Sequence, residues 1–144
     1  MIYIDIEQAV KIHKITIEVS GGGEDGIIEI GKLEAVLEHI QNDEYYPTFE
    51  EKLTHLFFCA CNFHSFVDGN KRIAISLGAQ FLLLNGYVFI AKVFIQEMEN
   101  ISYHVAAGKI QKELLFEIIY AVINSGELSD ELKLKTLNAI ENGS

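Results

Sequence analysis

"NKRIAISLGAQFLLLNG", Asn70 to Gly86, is the stretch on which the reading of the fold turns. Two cations open it. Twelve residues follow, from Ile73 to Leu84, in which only Ser76 and Gln80 are polar. Asn85-Gly86 then closes it with a helix-stop signal. A helix that is apolar on nearly every side belongs in an interior. A dozen residues are too few to cross a bilayer, which takes about 20. Gly78 in mid-helix costs about 1 kcal/mol against alanine, so it reads as a place where a neighbouring helix comes close.

Further helices surround this one. Asp5 caps "IEQAVKIHKITIEV" (6–19), whose Ile6, Val10, Ile12, Ile15 and Val19 follow helical more than strand spacing. "SGGGEDG" (20–26) breaks it. A second helix is expected from about Gly31 to Gln41, with Leu33, Val36, Leu37 and Ile40 on one stripe. "QNDEYYP" (41–47) is a loop. Thr48 and Glu51 form a capping-box pattern that opens a third helix reaching about Phe63. "GYVFIA" (86–91) reads as a short extended piece. Helices then cover about 94–107, 111–124 and 129–141, stopped by Gly108 and Gly126 and with Ser129 as the last N-cap.

The expected fold is therefore all-α: one domain, 1–144, a compact bundle of six or seven helices around a buried central helix. The motif loop and central helix occupy about 63–85, and the tail about 125–144. "SGGGEDGIIEIG" (20–31) can form a small β-hairpin flap, because glycine-rich turns flank a β-branched run.

Composition narrows the function. The chain carries a formal net charge of −10, 49% hydrophobic residues and a single proline. Such an acidic balance disfavours nucleic acid, which is held by Lys and Arg on phosphates, and anionic membrane surfaces. Cys59 and Cys61 lack redox or zinc spacing and read as small core or boundary residues of a chain in a reducing compartment, hence cytoplasmic. The opening "MIYIDIEQAV" has no basic segment, so no signal peptide is expected.

Just before the central helix the chain gathers its chemistry. "HSFVDGNKR" (64–72) brings together a histidine, an aspartate, an asparagine, a lysine and an arginine. A helix N-terminus offers unpaired N–H groups and partial positive charge, so it binds anions. Gly69 allows close backbone approach, Asn70 can cap or donate, and Lys71 and Arg72 add two cations. His64 is a candidate base. Asp68 is a hard oxygen ligand suited to Mg²⁺. Phe66 anchors the loop to the core. Taken singly, each residue reads best as a cap or a solvated polar group; together they describe group transfer from a nucleotide.

At these residues the sequence resembles the Fic/Doc (Fido) family, whose signature reads H-x-F-x-[D/E]-G-N-x-R. Lys71 is similar to the lysine of the Doc ("death on curing") branch. The resemblance extends from about Ile4 to Ile119, through "GGEDGIIEIGKLEAVL", "YPTFEEKLTHLFF" and "LGAQFLLLNGY". It implies that His64 activates a protein hydroxyl, that Asp68 holds Mg²⁺, and that Gly69, Asn70, Lys71 and Arg72 contact the phosphates of ATP. It implies a flap, here Glu24, Asp25, Gly26, Ile27, Ile28, Glu29 and Ile30, that aligns the target by strand-like backbone contacts. It implies transfer of the γ-phosphate to a Ser or Thr hydroxyl of a translation factor such as elongation factor Tu, by a toxin paired with a Phd-type antitoxin. Transfer of AMP, or partner binding without catalysis, are the alternatives.

Departures qualify the match. AMP-transferring members carry a second arginine three residues after the first, where this chain has Ile75. Ile28-Glu29 replaces the Arg-Asp pair of many Doc flaps. "TLNAIEN" (136–142) has one residue too many for the family's self-inhibitory motif. "GIIEIGKL" (26–33) nearly spells a P-loop, but Leu33 stands at the hydroxyl position and no βαβ context surrounds it. His13, His39, His55 and His104 lack metal spacing and read as surface or boundary residues. Phe57, Phe58, Phe81 and Phe89 read as core.

Overall fold

The computed structural model describes residues 1–19, 30–63 and 68–142, the side chains of 17, 19 and 68–71 excepted. Among the described residues there are seven helices and no strand: α1 (Ile6–Val19), α2 (Ile30–His39), α3 (Phe49–Cys61), α4 (Asp68–Leu84), α5 (Val88–Ala106), α6 (Lys112–Ser125) and α7 (Asp130–Asn142). The all-α bundle expected from the sequence is what forms. The glycine-rich run where a hairpin was expected lies outside the described residues, apart from Ile30 and Gly31, which open α2.

Local signals start the helices. Asp5 Oδ1 accepts the Gln8 N–H at 2.8 Å while the Asp5 N–H donates to Gln8 Oε1 at 3.0 Å, a reciprocal capping box. Thr48 Oγ1 accepts the Glu51 N–H at 3.1 Å, and its hydroxyl donates to Glu51 Oε1 at 2.9 Å. Glycines end them. After α4, the Gly86 N–H donates to the Leu83 carbonyl and the Tyr87 N–H to the Leu82 carbonyl, with Gly86 at φ +90°.

α4 is the central element, packed against α1, α3 and α5. Ile73, Ala74, Leu77, Phe81 and Leu82 are fully buried on it. A Cβ on Gly78 would lie 2.6 Å from two ring carbons of Phe94 on α5, a separation real Cβ atoms do not show. Gly78→Ala is therefore expected to destabilise the protein by about 1–3 kcal/mol, because overpacking outweighs the helix-propensity gain of about 1 kcal/mol. Urea unfolding measures it; a more stable variant would show that the two helices have room.

One expectation fails. "GYVFIA" is not extended: α5 begins at Val88, six residues before the expected start at 94. A short apolar run does not distinguish strand from helix by periodicity. Here Ala91, Phe94, Met98, Ile101 and Val105 form one buried helical stripe, and that packing decides the matter. Phe89 falls off the stripe and is 72% exposed, so it is not core, unlike Phe57 and Phe81.

Lys52 is fully buried, at 1% exposure. Its Nζ donates to the Ile40 carbonyl at 2.6 Å, just past the end of α2, and to Asp43 Oδ1 at 2.7 Å. It also stands 5.6 Å from the centre of the Tyr3 ring. Burial lowers its pKa, but Asp43 and Tyr3 outweigh that and the net shift is upward, so the lysine stays charged.

Candidate functional site

α3 ends at Cys61, buried among core residues, and Asn62 caps it, its N–H reaching the Cys59 and Ala60 carbonyls. α4 begins at Asp68. The motif loop thus leaves one core helix and enters the next. His64 and Phe66 lie outside the described residues, as do the side chains of Asp68, Asn70 and Lys71. What is described is the frame. Asp68, Gly69 and Asn70 form the first turn of α4, and Arg72 follows them, exposed. Ile73 and Ala74, directly after it, have no exposure at all. That step from exposed cation to buried core sets the first turn of α4 at the surface end of the central helix.

α1 braces the same end. Thr16 Oγ1 lies 3.1 Å from Ser76 Oγ, one turn beyond Arg72. The Thr16 hydroxyl is also 2.7 Å from the Ile12 carbonyl. Three residues further, α1 reaches Val19, where the flap segment departs. Of the expected flap residues, Glu24 to Glu29 lie outside the described residues and Ile30 is the exposed first residue of α2.

Among the described residues no group of three or more His, Cys, Asp or Glu could hold a metal by itself. A lone carboxylate at Asp68 suits Mg²⁺, which usually takes one or two carboxylates and completes its shell with water and substrate phosphates.

A second polar cluster was not legible in the sequence. His55, expected at a surface or boundary, is only 9% exposed. Lys112 Nζ donates to its Nδ1 at 2.8 Å. An ammonium can only donate, so Nδ1 is the acceptor and Nε2 carries the proton, 3.3 Å from the Tyr46 hydroxyl. The Tyr46 ring stacks on the imidazole at 4.4 Å between centres, and Cys59 Sγ lies 3.7 Å from both ring nitrogens. Burial, then Lys112, then His39, push the His55 pKa down to about 4. The three partners come from the 42–47 loop, α3 and α6. The only hint along the chain is the i, i+4 pair His55–Cys59.

This imidazole makes stability depend on pH. Between about 6.5 and 4 the unfolded chain binds a proton at His55 that the folded chain refuses. Its contribution is complete above about 6.5 and is lost as pH falls through 4, by about 3 kcal/mol in all. Denaturant unfolding at pH 7 and at pH 4.5 is expected to show His55→Gln losing less on acidification than the unaltered protein. Equal losses would place the titration elsewhere.

Among the described residues no helix is long and apolar enough to cross a membrane. No curated protein and no solved structure gives a significant match to the chain. The family model described as "Fic/DOC family" matches residues 3–82, more than half of the chain and all of α1 to α3 with most of α4. The run His64–Arg72 and the helices that frame it lie inside that match, and the chain belongs to the Fic/DOC family.

Proposed function

We propose that this chain is a nucleotide-dependent transferase that moves the γ-phosphate of Mg-ATP to a Ser or Thr hydroxyl of a target protein. Members of the Fic/DOC family are in general transferases that modify proteins. The observation that carries the finer reading is the content of 64–75: His64, Asp68, Asn70, Lys71 and Arg72 are present, and Ile75 stands where AMP-transferring members have an arginine. In the Doc branch a lysine at this position crowds the anion site, and Lys71 stands there. The start of α4 beside the exposed Arg72 supports the reading, since the first turn of a helix is suited to phosphates.

In this reading the target hydroxyl oxygen attacks the γ-phosphorus. The bond from that phosphorus to the bridging oxygen breaks, ADP leaves, and the hydroxyl proton passes to His64. Asn70, Lys71, Arg72 and the first-turn amides balance charge on the phosphates. Asp68 would hold Mg²⁺, which supplies further charge neutralisation when bound. The segment Glu24–Ile30 would align the target. A translation factor such as elongation factor Tu is the proposed target class, and a Phd-type antitoxin the proposed partner.

Labelled ATP tests this. The protein is mixed with cell extract and ATP labelled at either the α or the γ position. Label on a protein from γ alone is the expected result. Label from α alone would mean AMP transfer. No transfer from either, by folded protein, would overturn both.

A further inference from the structure

We propose that the cavity between the 42–47 loop, the first half of α3 and the start of α6 is a second binding site, for a small aromatic carboxylate. The cavity holds about 460 Å³ and is lined by Tyr45, Tyr46, Phe116, Lys112 and Thr54. That volume falls in the range of small-molecule sites, about 300–1,000 Å³. Three rings supply flat apolar walls for an aromatic body.

Lys112 supplies the charge. Among the described residues it has no carboxylate within 4 Å, in a chain with 21 acidic residues. Its hydrogen-bond partner is the His55 imidazole, and it stands 5.5 Å from the centre of the Tyr46 ring and 5.9 Å from that of Phe58. Every recorded partner is therefore neutral, and two of the three ammonium protons are not used by His55. Lys112 is also the first residue of α6, whose N-cap Gln111 makes no side-chain cap bond, so the positive end of that helix adds to the ammonium.

Two carboxylates line the same cavity and limit the ligand. Glu51 Oε1 is engaged by the Thr48 hydroxyl at the α3 cap, and Glu113 is exposed. Together they leave the lining net negative, so a monoanion is held only where its carboxylate meets the Lys112 ammonium directly, and a phosphate dianion is repelled. The site lies away from the end of α3 at Cys61. Glu51 lies ten residues before Cys61 on α3, about 15 Å along the axis. Lys112, Glu113 and Phe116 also lie beyond the 3–82 family match.

Calorimetry on the full chain with indole-3-carboxylate, its primary amide and indole-3-methylamine tests the proposal. The carboxylate is expected to bind about tenfold or more tighter than the amide, a difference of about 1.4 kcal/mol. Lys112→Met is expected to bring it down to the amide's affinity, and Arg72→Ala to leave it unchanged. The carboxylate-to-amide ratio on the unaltered protein decides the matter even if Lys112→Met does not fold. A ratio below that, tightest binding of the amine, no binding at 10 mM by any probe (on the order of the weakest measurable affinities), or loss of binding in Arg72→Ala alone would overturn it.

Discussion

His64→Ala is expected to lower γ-label transfer onto protein by about 100- to 10,000-fold, the usual worth of a general base. The loss should fall on kcat, with KM for ATP nearly unchanged, because an imidazole that takes a proton from the target hydroxyl acts only as the transition state forms. Arg72→Ala should differ: a phosphate contact made in the ground state raises KM as well. Arg72 is exposed just after the first turn of α4, so its removal leaves the core intact. If the chain inhibits growth, His64→Ala should abolish that effect too. Inhibition that survives unchanged would mean the protein acts by holding a partner, not by modifying one.

Lys52→Ala is expected to cost about 4 kcal/mol, from two sources. The Ile40 carbonyl loses a charge-assisted hydrogen bond in a buried position, worth about 1.5–3 kcal/mol. The fully buried stem leaves a cavity, worth about 2 kcal/mol more. Lys52→Met keeps the stem and should recover roughly half of the loss. For a chain of this length each kcal/mol shifts Tm by about 2–4 °C. A fall of less than about 4 °C in Lys52→Ala would mean that water reaches the Ile40 carbonyl in place of the ammonium.

The sequence was most readable where one residue type answers to one local force. Asn85-Gly86, Gly108 and Gly126 were read as helix stops, and each glycine sits at positive φ behind a helix. Gly78 was read as a close approach, and the Phe94 ring is there. The motif 64–72 was legible as chemistry because complementary groups lie in one short run. It was less readable where a side chain's fate depends on a distant partner. Val88-Phe89 reads as strand until α4 and α5 are seen to pack. Nothing in the chain around Lys52 signals burial, which comes from the α2 end and Tyr3 closing over it. His55 needs Tyr46, nine residues away, and Lys112, 57 away, to become a buried neutral base. The charges of the motif could be counted from the chain; the cavity beside Lys112 could not, because its walls come from three separate segments.

The notch at Gly78 has a mechanical meaning. Phe94 fits α4 only where a side chain is missing, so sliding α5 along α4 would carry the ring toward the side chains on the same face one turn away, Ala74 or Leu82. The notch therefore fixes the register of α5 on α4, because any other register would place a side chain under the ring.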